Sequence, residues 1–219
     1  MFDFHTHTVF SDGVLIPAEL AQRAKNSEYQ GVAITDHVDH TNMEWVLDNL
    51  LSGVKTLSVH AGLEVYAGVE ITHVPPPLIP DLVDRARELG AQLVLVHGET
   101  IVEPVERGTN LAAIESGVDI LAHPGLISAE EAGLAAENRV LLEISTRKGH
   151  SLTNGHVLEM ARQNNSGLIM NNDAHEPGDL IPAELRRYIA YGAGMKEEEY
   201  LRAEENSREL QQQIIVKKR

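Results

Sequence analysis

Seven short aliphatic runs, each separated from the next by an amphipathic stretch, constrain this chain more than any other feature, and six of them end directly in His, Asp or Glu. Phe2 to Phe4 leads into His5-Thr6-His7, Gly31 to Thr35 into Asp36-His37, and Gly68-Val69 into Glu70. Gln92 to Val96 leads into His97, Val118 to Ala122 into His123, and Gly167 to Asn172 into Asp173-Ala174-His175. Aliphatic runs alternating with helical periodicity are the pattern of parallel strands joined by helices. The candidate strands lie near 2–5, 31–35, 63–71, 92–97, 118–122, 140–144 and 167–171, and the helical patterns near 17–28, 43–51, 79–89, 109–116, 128–137, 153–164, 180–191 and 196–213. Pro17 suits a first helical position and Gly90 a helix stop. Ser128 with Glu131 makes a capping-box signature, and Thr153 or Asn154 is expected to cap the helix after it. Seven β/α steps are one short of the familiar eight, so the expected fold is a seven-stranded (β/α) barrel. In such barrels functional sites gather at the carboxyl ends of the strands, where these imidazoles and carboxylates fall.

At 219 residues, 42% hydrophobic and 4% aromatic, the chain suits one domain spanning 1–219 with an aliphatic core. Its 33 acidic and 18 basic residues leave a formal charge of −15, which repels polyanions, so nucleic acid is disfavoured as a partner. The longest basic run, Lys217-Lys218-Arg219, reads as a solvated helix end. No long apolar segment and no leader pattern is visible, so neither a membrane span nor a signal peptide is expected, and the cytoplasm is the default location. Cysteine is absent, which removes thiolate ligands and leaves imidazole and carboxylate. No Gly-x-Ser-x-Gly elbow occurs either, so serine or cysteine nucleophiles have no footing.

His5 and His7 are two apart and project from the same strand face, where one ion can take both. Alone, that pair is more often incidental than ligating. Five further strand ends repeating the same residue classes make a metal centre the better reading, with two or three divalent ions among zinc, manganese and iron.

The chain resembles the PHP (polymerase and histidinol phosphatase) family of metal-dependent phosphoesterases. The matching pieces, in order, are His5-Thr-His7-Thr with Ser11-Asp12-Gly13, Ile34-Thr-Asp-His37, Gly68-Val-Glu70, Val96-His97, Ala122-His123-Pro124-Gly125 and Asn172-Asp173-Ala174-His175. The resemblance implies a distorted seven-stranded TIM-like barrel, commonly with three metal ions. It implies one ion on His5, His7, Glu70 and Asp173, with Glu70 bridging to a second on His97 and His123, and a third on Asp12, His37 and His175. Asp12 stands where some relatives have His. The implied chemistry is hydrolysis of a small phosphorylated metabolite by metal-activated hydroxide, with His5, His7, Glu70, His123 and Asp173 as the catalytic set.

After the sixth strand, Arg147, Lys148 and His150 bring cationic side chains to a loop before a helix start, and they are the expected contacts for a small-molecule phosphate ester. Glu143 reads equally as an ion-pair partner or a ligand. Glu99 and Asp36 are candidates for orienting an imidazole. His40, His60 and His156 read as ordinary polar residues, and the direction of His73 is open. Two rival functions remain. One is an amidohydrolase, which often bridges its metals with a carboxylated lysine, though no Lys ends a strand here. The other is a noncatalytic protein- or RNA-binding subunit on the same barrel; a proofreading nuclease has only the Arg147-Lys148 loop to guide a strand. The sequence leaves the oligomeric state open.

Overall fold

The computed structural model describes residues 1–217; of the terminal basic run, Lys218 and Arg219 lie outside the described residues. Eight parallel segments make the sheet: β1 (Phe2–Asp3), β2 (Gly31–Ile34), β3 (His37–Val38), β4 (Glu64–Ile71), β5 (Leu93–His97), β6 (Ile120–Ala122), β7 (Leu141–Ser145) and β8 (Leu168–Asn171). Their lateral order is β1-β2-β4-β5-β6-β7-β8, with β3 also on β4. β3 continues the line of β2 after a break at Thr35-Asp36 and places His37 opposite Glu70. The seven expected strands are therefore the seven staves of a nearly closed barrel, the second stave being interrupted.

Helices α1 (Pro17–Asn26), α2 (Met43–Ala61), α3 (Ile79–Glu88), α4 (Thr109–Glu115), α5 (Ala129–Asn138), α6 (Asn154–Asn164), α7 (Ala183–Gly192) and α8 (Glu197–Lys217) complete the chain. Pro17 opens α1, and the Ser128–Glu131 capping box forms with both reciprocal bonds. α2 runs ten residues past its expected end. Ser52-Gly53 reads as a stop, but Met43, Val46, Leu47, Leu50 and Val54 keep one buried stripe through it, and tertiary packing outweighs the roughly 1 kcal/mol that an interior Gly costs. Neither Thr153 nor Asn154 caps α6 with its side chain. The Asn154 amide turns back to β7 instead, accepting from Ser145 N (3.2 Å) and donating to Ser145 O (2.8 Å). Among the described residues no helix is long and apolar enough to cross a membrane.

Alternation along each stave divides the molecule into layers. Phe4, Ala33, Tyr66, Leu93, Leu95, Ile120 and Ile169 form an inner cluster, joined by Leu210 and Ile214 of α8. The opposite-facing residues, such as Val32, Val94, Val96 and Leu142, pack outward with the helices. Each inward row changes character as it rises: Leu93 and Leu95 give way to His97, Tyr66 to Glu70, and Ile169 to Asn171 and Asp173. The barrel is thus apolar below and polar at its mouth.

Among the described residues the β1–β8 seam has no regular ladder and one bridge, Thr6 with Ala174, where His7 N donates to Ala174 O (2.8 Å) and Ala174 N to His5 O (3.2 Å). Lower down, side chains replace the ladder: Phe4 N donates to Asn171 Oδ1 (2.9 Å), and Asn172 N to the Asp3 carboxylate (3.2 Å). The two ligand-rich stretches, 5–7 and 173–175, are therefore held together at the closing point.

Candidate metal centre

Glu70 sits at the centre of the mouth with no solvent exposure. Its Oε2 lies 3.3 Å from His5 Nε2, 3.6 Å from His7 Nε2 and 2.8 Å from His37 Nδ1, and its Oε1 lies 3.6 Å from His123 Nε2. Asp173 faces it, with Oδ1 3.3 Å from His7 Nε2 and 3.6 Å from His5 Nε2, and Oδ2 3.8 Å from His123 Nε2. Asp12 reaches in from the β1–α1 loop, its Oδ1 3.1 Å from His175 Nε2 and 3.5 Å from His37 Nε2. All nine expected ligand-type residues therefore converge. His7 with Asp12, His37 and His175 makes one group whose donor atoms lie within 4.8 Å of one another; His5, His7 and Glu70, then His5, His123 and Asp173, then Glu70, His97 and His123 make three more.

Burial of so many polar groups costs free energy unless each finds a partner. Here His5 Nε2, both nitrogens of His7, both oxygens of Glu70, His97 Nδ1 and His123 Nδ1 are buried with no hydrogen-bond partner among the described residues. Unpartnered imidazole and carboxylate atoms of this kind suit divalent cations, so the residues present fit a metal centre. Burial would push the Glu70 carboxyl up, but the imidazoles of His5 and His37 outweigh it and hold it well below the usual carboxylate range. Asp173 is held low in the same way, against burial, by His5, His7 and His123. Burial, reinforced by the neighbouring His37, pushes His7 down to about 3, which keeps its imidazole neutral, the form that ligates.

Backbone conformation aims two of these groups. His123 (φ +27°) and Asp173 (φ +54°) both occupy the left-handed region that non-glycine residues rarely adopt. Just beyond His123, Gly125 (φ +62°) lies so close to the β5–α4 loop that a Cβ there would sit 1.8 Å from Glu99 O. Only glycine fits the Ala122-His-Pro-Gly125 turn.

The partners of the ligands resolve what the sequence left open. Glu143 orients one imidazole: its Oε1 lies 2.9 Å from His5 Nδ1 and accepts from Asn171 Nδ2 (2.9 Å), while Oε2 accepts from His123 N (3.0 Å). Asp36 and Glu99, expected as possible imidazole partners, serve backbone and hydroxyl groups. Asp36 accepts from Thr8 N, Thr8 Oγ1 and Ser11 Oγ, fixing the loop that carries Asp12; Glu99 accepts from Gly108 N and Asn110 N at the start of α4. His40 and His60 are exposed, and His156 bonds Ile127 O. Glu103 escaped sequence reading because it lies in a loop without periodicity; it stands 2.9 Å from His97 Nε2.

A cavity of about 510 Å³ opens above the cluster, lined in part by His37, His97, His123, Asp173 and His175. Arg147 forms part of its wall, tethered by Nη1 to Asp173 O (3.1 Å) and paired with Asp179 (3.5 Å). His150 is buried in the wall, stacked on His123 with ring centroids 4.0 Å apart. Lys148 is exposed outside this cavity, in a neighbouring depression with Asp12, Glu176 and Asp179. The loop thus brings Arg147 and His150 to the cavity and leaves Lys148 at its edge.

Fold and site together define a nearly closed seven-stave (β/α) barrel with an imidazole–carboxylate cluster at its carboxyl-end mouth. The chain belongs to the PHP domain family, whose model matches residues 3–165. It is 46% identical over 200 residues to the uncharacterized protein MJ1295 of Methanocaldococcus jannaschii, covering 90% of this chain and 92% of that one. It is 29% identical over 218 residues to ribonuclease P protein component 3 of Methanosarcina mazei, covering 92% and 84%. Among solved structures, a chain in archaeal ribonuclease P with mature tRNA shares the fold at a TM-score of 0.71 and 18% identity, covering 94% of this chain and 89% of that one.

These findings overturn the expectation of a small-molecule partner with nucleic acid disfavoured. The chain is similar along nearly its whole length to a protein component of ribonuclease P, not to an enzyme of small phosphorylated metabolites. Net charge misled because it sums the whole surface, whereas an RNA contact is local and is set by the face that meets it.

Proposed function

We propose that this chain is a metal-dependent phosphoesterase acting on a phosphate ester of RNA, in particular at the end of a strand. The observation that carries the reading is the convergence of nine ligand-type side chains around buried, unpartnered donor atoms beneath an open cavity. Bound divalent ions supply Lewis acidity and an activated water for attack on phosphorus.

The chain's own residues set the geometry. Glu143 fixes the His5 ring through Nδ1 and leaves Nε2 directed at Glu70 and Asp173. Glu70 presents Oε2 to His5 and Oε1 to His123, so both of its oxygens would be available to hold bound cations. Asp12, His37 and His175 complete the side nearest the β1–α1 loop. Arg147, at the cavity wall, offers guanidinium N–H groups to phosphoryl oxygens, and its tether to Asp173 O keeps that charge beside the cluster. A cavity of this volume takes a ligand of small-molecule size or the terminal unit of a polymer. An acidic chain meets such a polymer best at a strand end, where local cations offset the charge.

A second reading, a noncatalytic subunit in a ribonucleoprotein, is favoured by the 29% identity to the ribonuclease P component over most of both chains. Incubating manganese- or zinc-loaded protein with end-labelled RNA oligonucleotides separates the two. Release of phosphate or nucleotide that disappears in Glu70→Ala and His123→Ala supports the esterase. RNA binding without cleavage at any metal loading supports the subunit.

A further inference from the structure

Beyond the nine expected ligands, one carboxylate on the cavity wall gathers three imidazole nitrogens. Glu103 Oε2 lies 2.9 Å from His97 Nε2 and 3.6 Å from His73 Nε2, while Oε1 lies 3.5 Å from His150 Nε2. His150 spends its other nitrogen on Thr100 Oγ1 at 2.8 Å. His73, two residues beyond β4, holds the left-handed conformation (φ +54°), and its ring lies over His97 with centroids 5.1 Å apart. One donor atom each from His73, His97 and Glu103 fall within 4.8 Å of one another, and the two imidazoles stand 3.6 and 2.9 Å from the same carboxylate oxygen, close enough for a common ion to draw all three in. All three line the cavity.

We propose that His73 and Glu103, which lie outside the nine-residue cluster, form with His97 of that cluster an additional divalent-cation position on the cavity wall. A neutral imidazole has one lone pair, so a His97 that gives Nε2 to this outer position leaves the ion beside Glu70 to His123, which shares its ligand spacing with His5 and Asp173 as well. Two imidazoles and one carboxylate form a donor set that zinc and similar first-row ions accept, with the remaining positions open to the cavity. The loop that carries Glu103 is anchored rather than free, through Thr100 on His150 and through Glu99 on the start of α4. An ion there sets positive charge on the wall of an otherwise acidic chain, where a second phosphate of a polymeric substrate would pass.

This inference rests on reading the mouth as a metal centre, and its test keeps the two apart. Wild type, Glu103→Gln and His73→Ala are dialysed to equilibrium against zinc, then against manganese, and bound metal per chain is counted by mass spectrometry. His73 and Glu103 are 45% and 38% exposed at the side chain, so both variants are expected to keep the wild-type circular dichroism spectrum. The expected result is the loss of one ion per chain in each variant, with the other ions retained. Equal metal content in all three proteins overturns the outer position while leaving the inner centre standing. A wild type that holds no ion overturns both.

Discussion

At the residue scale the mouth is built from paired roles, one group ligating and another fixing its direction. His5 shows the division: Nε2 points at Glu70 and Asp173, while Nδ1 is held by Glu143, itself fully buried and tied to His123 N and Asn171 Nδ2. Carboxylates behind metal-bound imidazoles typically contribute roughly 10- to 100-fold to metal affinity. Glu143→Gln keeps the shape of the side chain and is expected to weaken zinc binding by a factor in that range while the fold persists. Calorimetric titration measures it, and unchanged affinity would show that the His5 ring is held by packing alone. Most of the ligand-type residues were legible because they stand at the ends of aliphatic runs, whereas Asp12, in the β1–α1 loop, was reached only through the family resemblance. Glu103 and His73 were not, because loop geometry rather than strand register brings them to the cavity.

At the element scale, packing decided what local signals could not. The seven runs all became staves, since an uninterrupted aliphatic stretch such as Leu93–Val96 is buried on both faces in a parallel sheet. The length of α2 depended on a buried stripe continuing through Ser52-Gly53, and the Asn154 amide found a better partner in β7 than in its own helix end. The seam between β1 and β8 was illegible because side chains of Asp3 and Asn171 substitute for ladder bonds. α8, which lies beyond the family match, is tied to α6 by Arg162, whose Nε and Nη2 donate to the two Glu199 oxygens at 2.6 and 2.7 Å. That hydrogen-bonded pair holds the Glu199 carboxyl down at about 2, against an ordinary 4.5. A carboxylate depressed on folding stabilises the fold above its unfolded value and loses that contribution as pH falls toward the folded one. Both side chains are partly exposed, so solvent screening limits the contribution to about 1 kcal/mol or less. Glu199→Gln is therefore expected to lower urea stability by up to that amount at pH 6, and the gap from wild type should narrow as pH falls from about 4.5 toward 2. A gap independent of pH would assign the effect to packing.

At the scale of the whole molecule, the barrel separates stability from chemistry along its axis. The lower half is filled by Phe4, Tyr66, Leu93, Leu95, Ile120 and Ile169, with Leu210 and Ile214 of α8 joining them. The upper half carries the buried imidazoles and carboxylates, whose unpartnered atoms make the mouth costly to fold unless cations occupy it. Net charge, a property of the whole surface, was the poorest guide, since it set nucleic acid aside in a chain 29% identical to a protein component of ribonuclease P. If this mouth is a metal centre, crystals grown with manganese or zinc give strong anomalous peaks among His5, His7, Glu70, His123 and Asp173, and beside Asp12, His37 and His175. Crystals at saturating metal with no anomalous peak in the mouth, and water alone between these side chains, would contradict that reading.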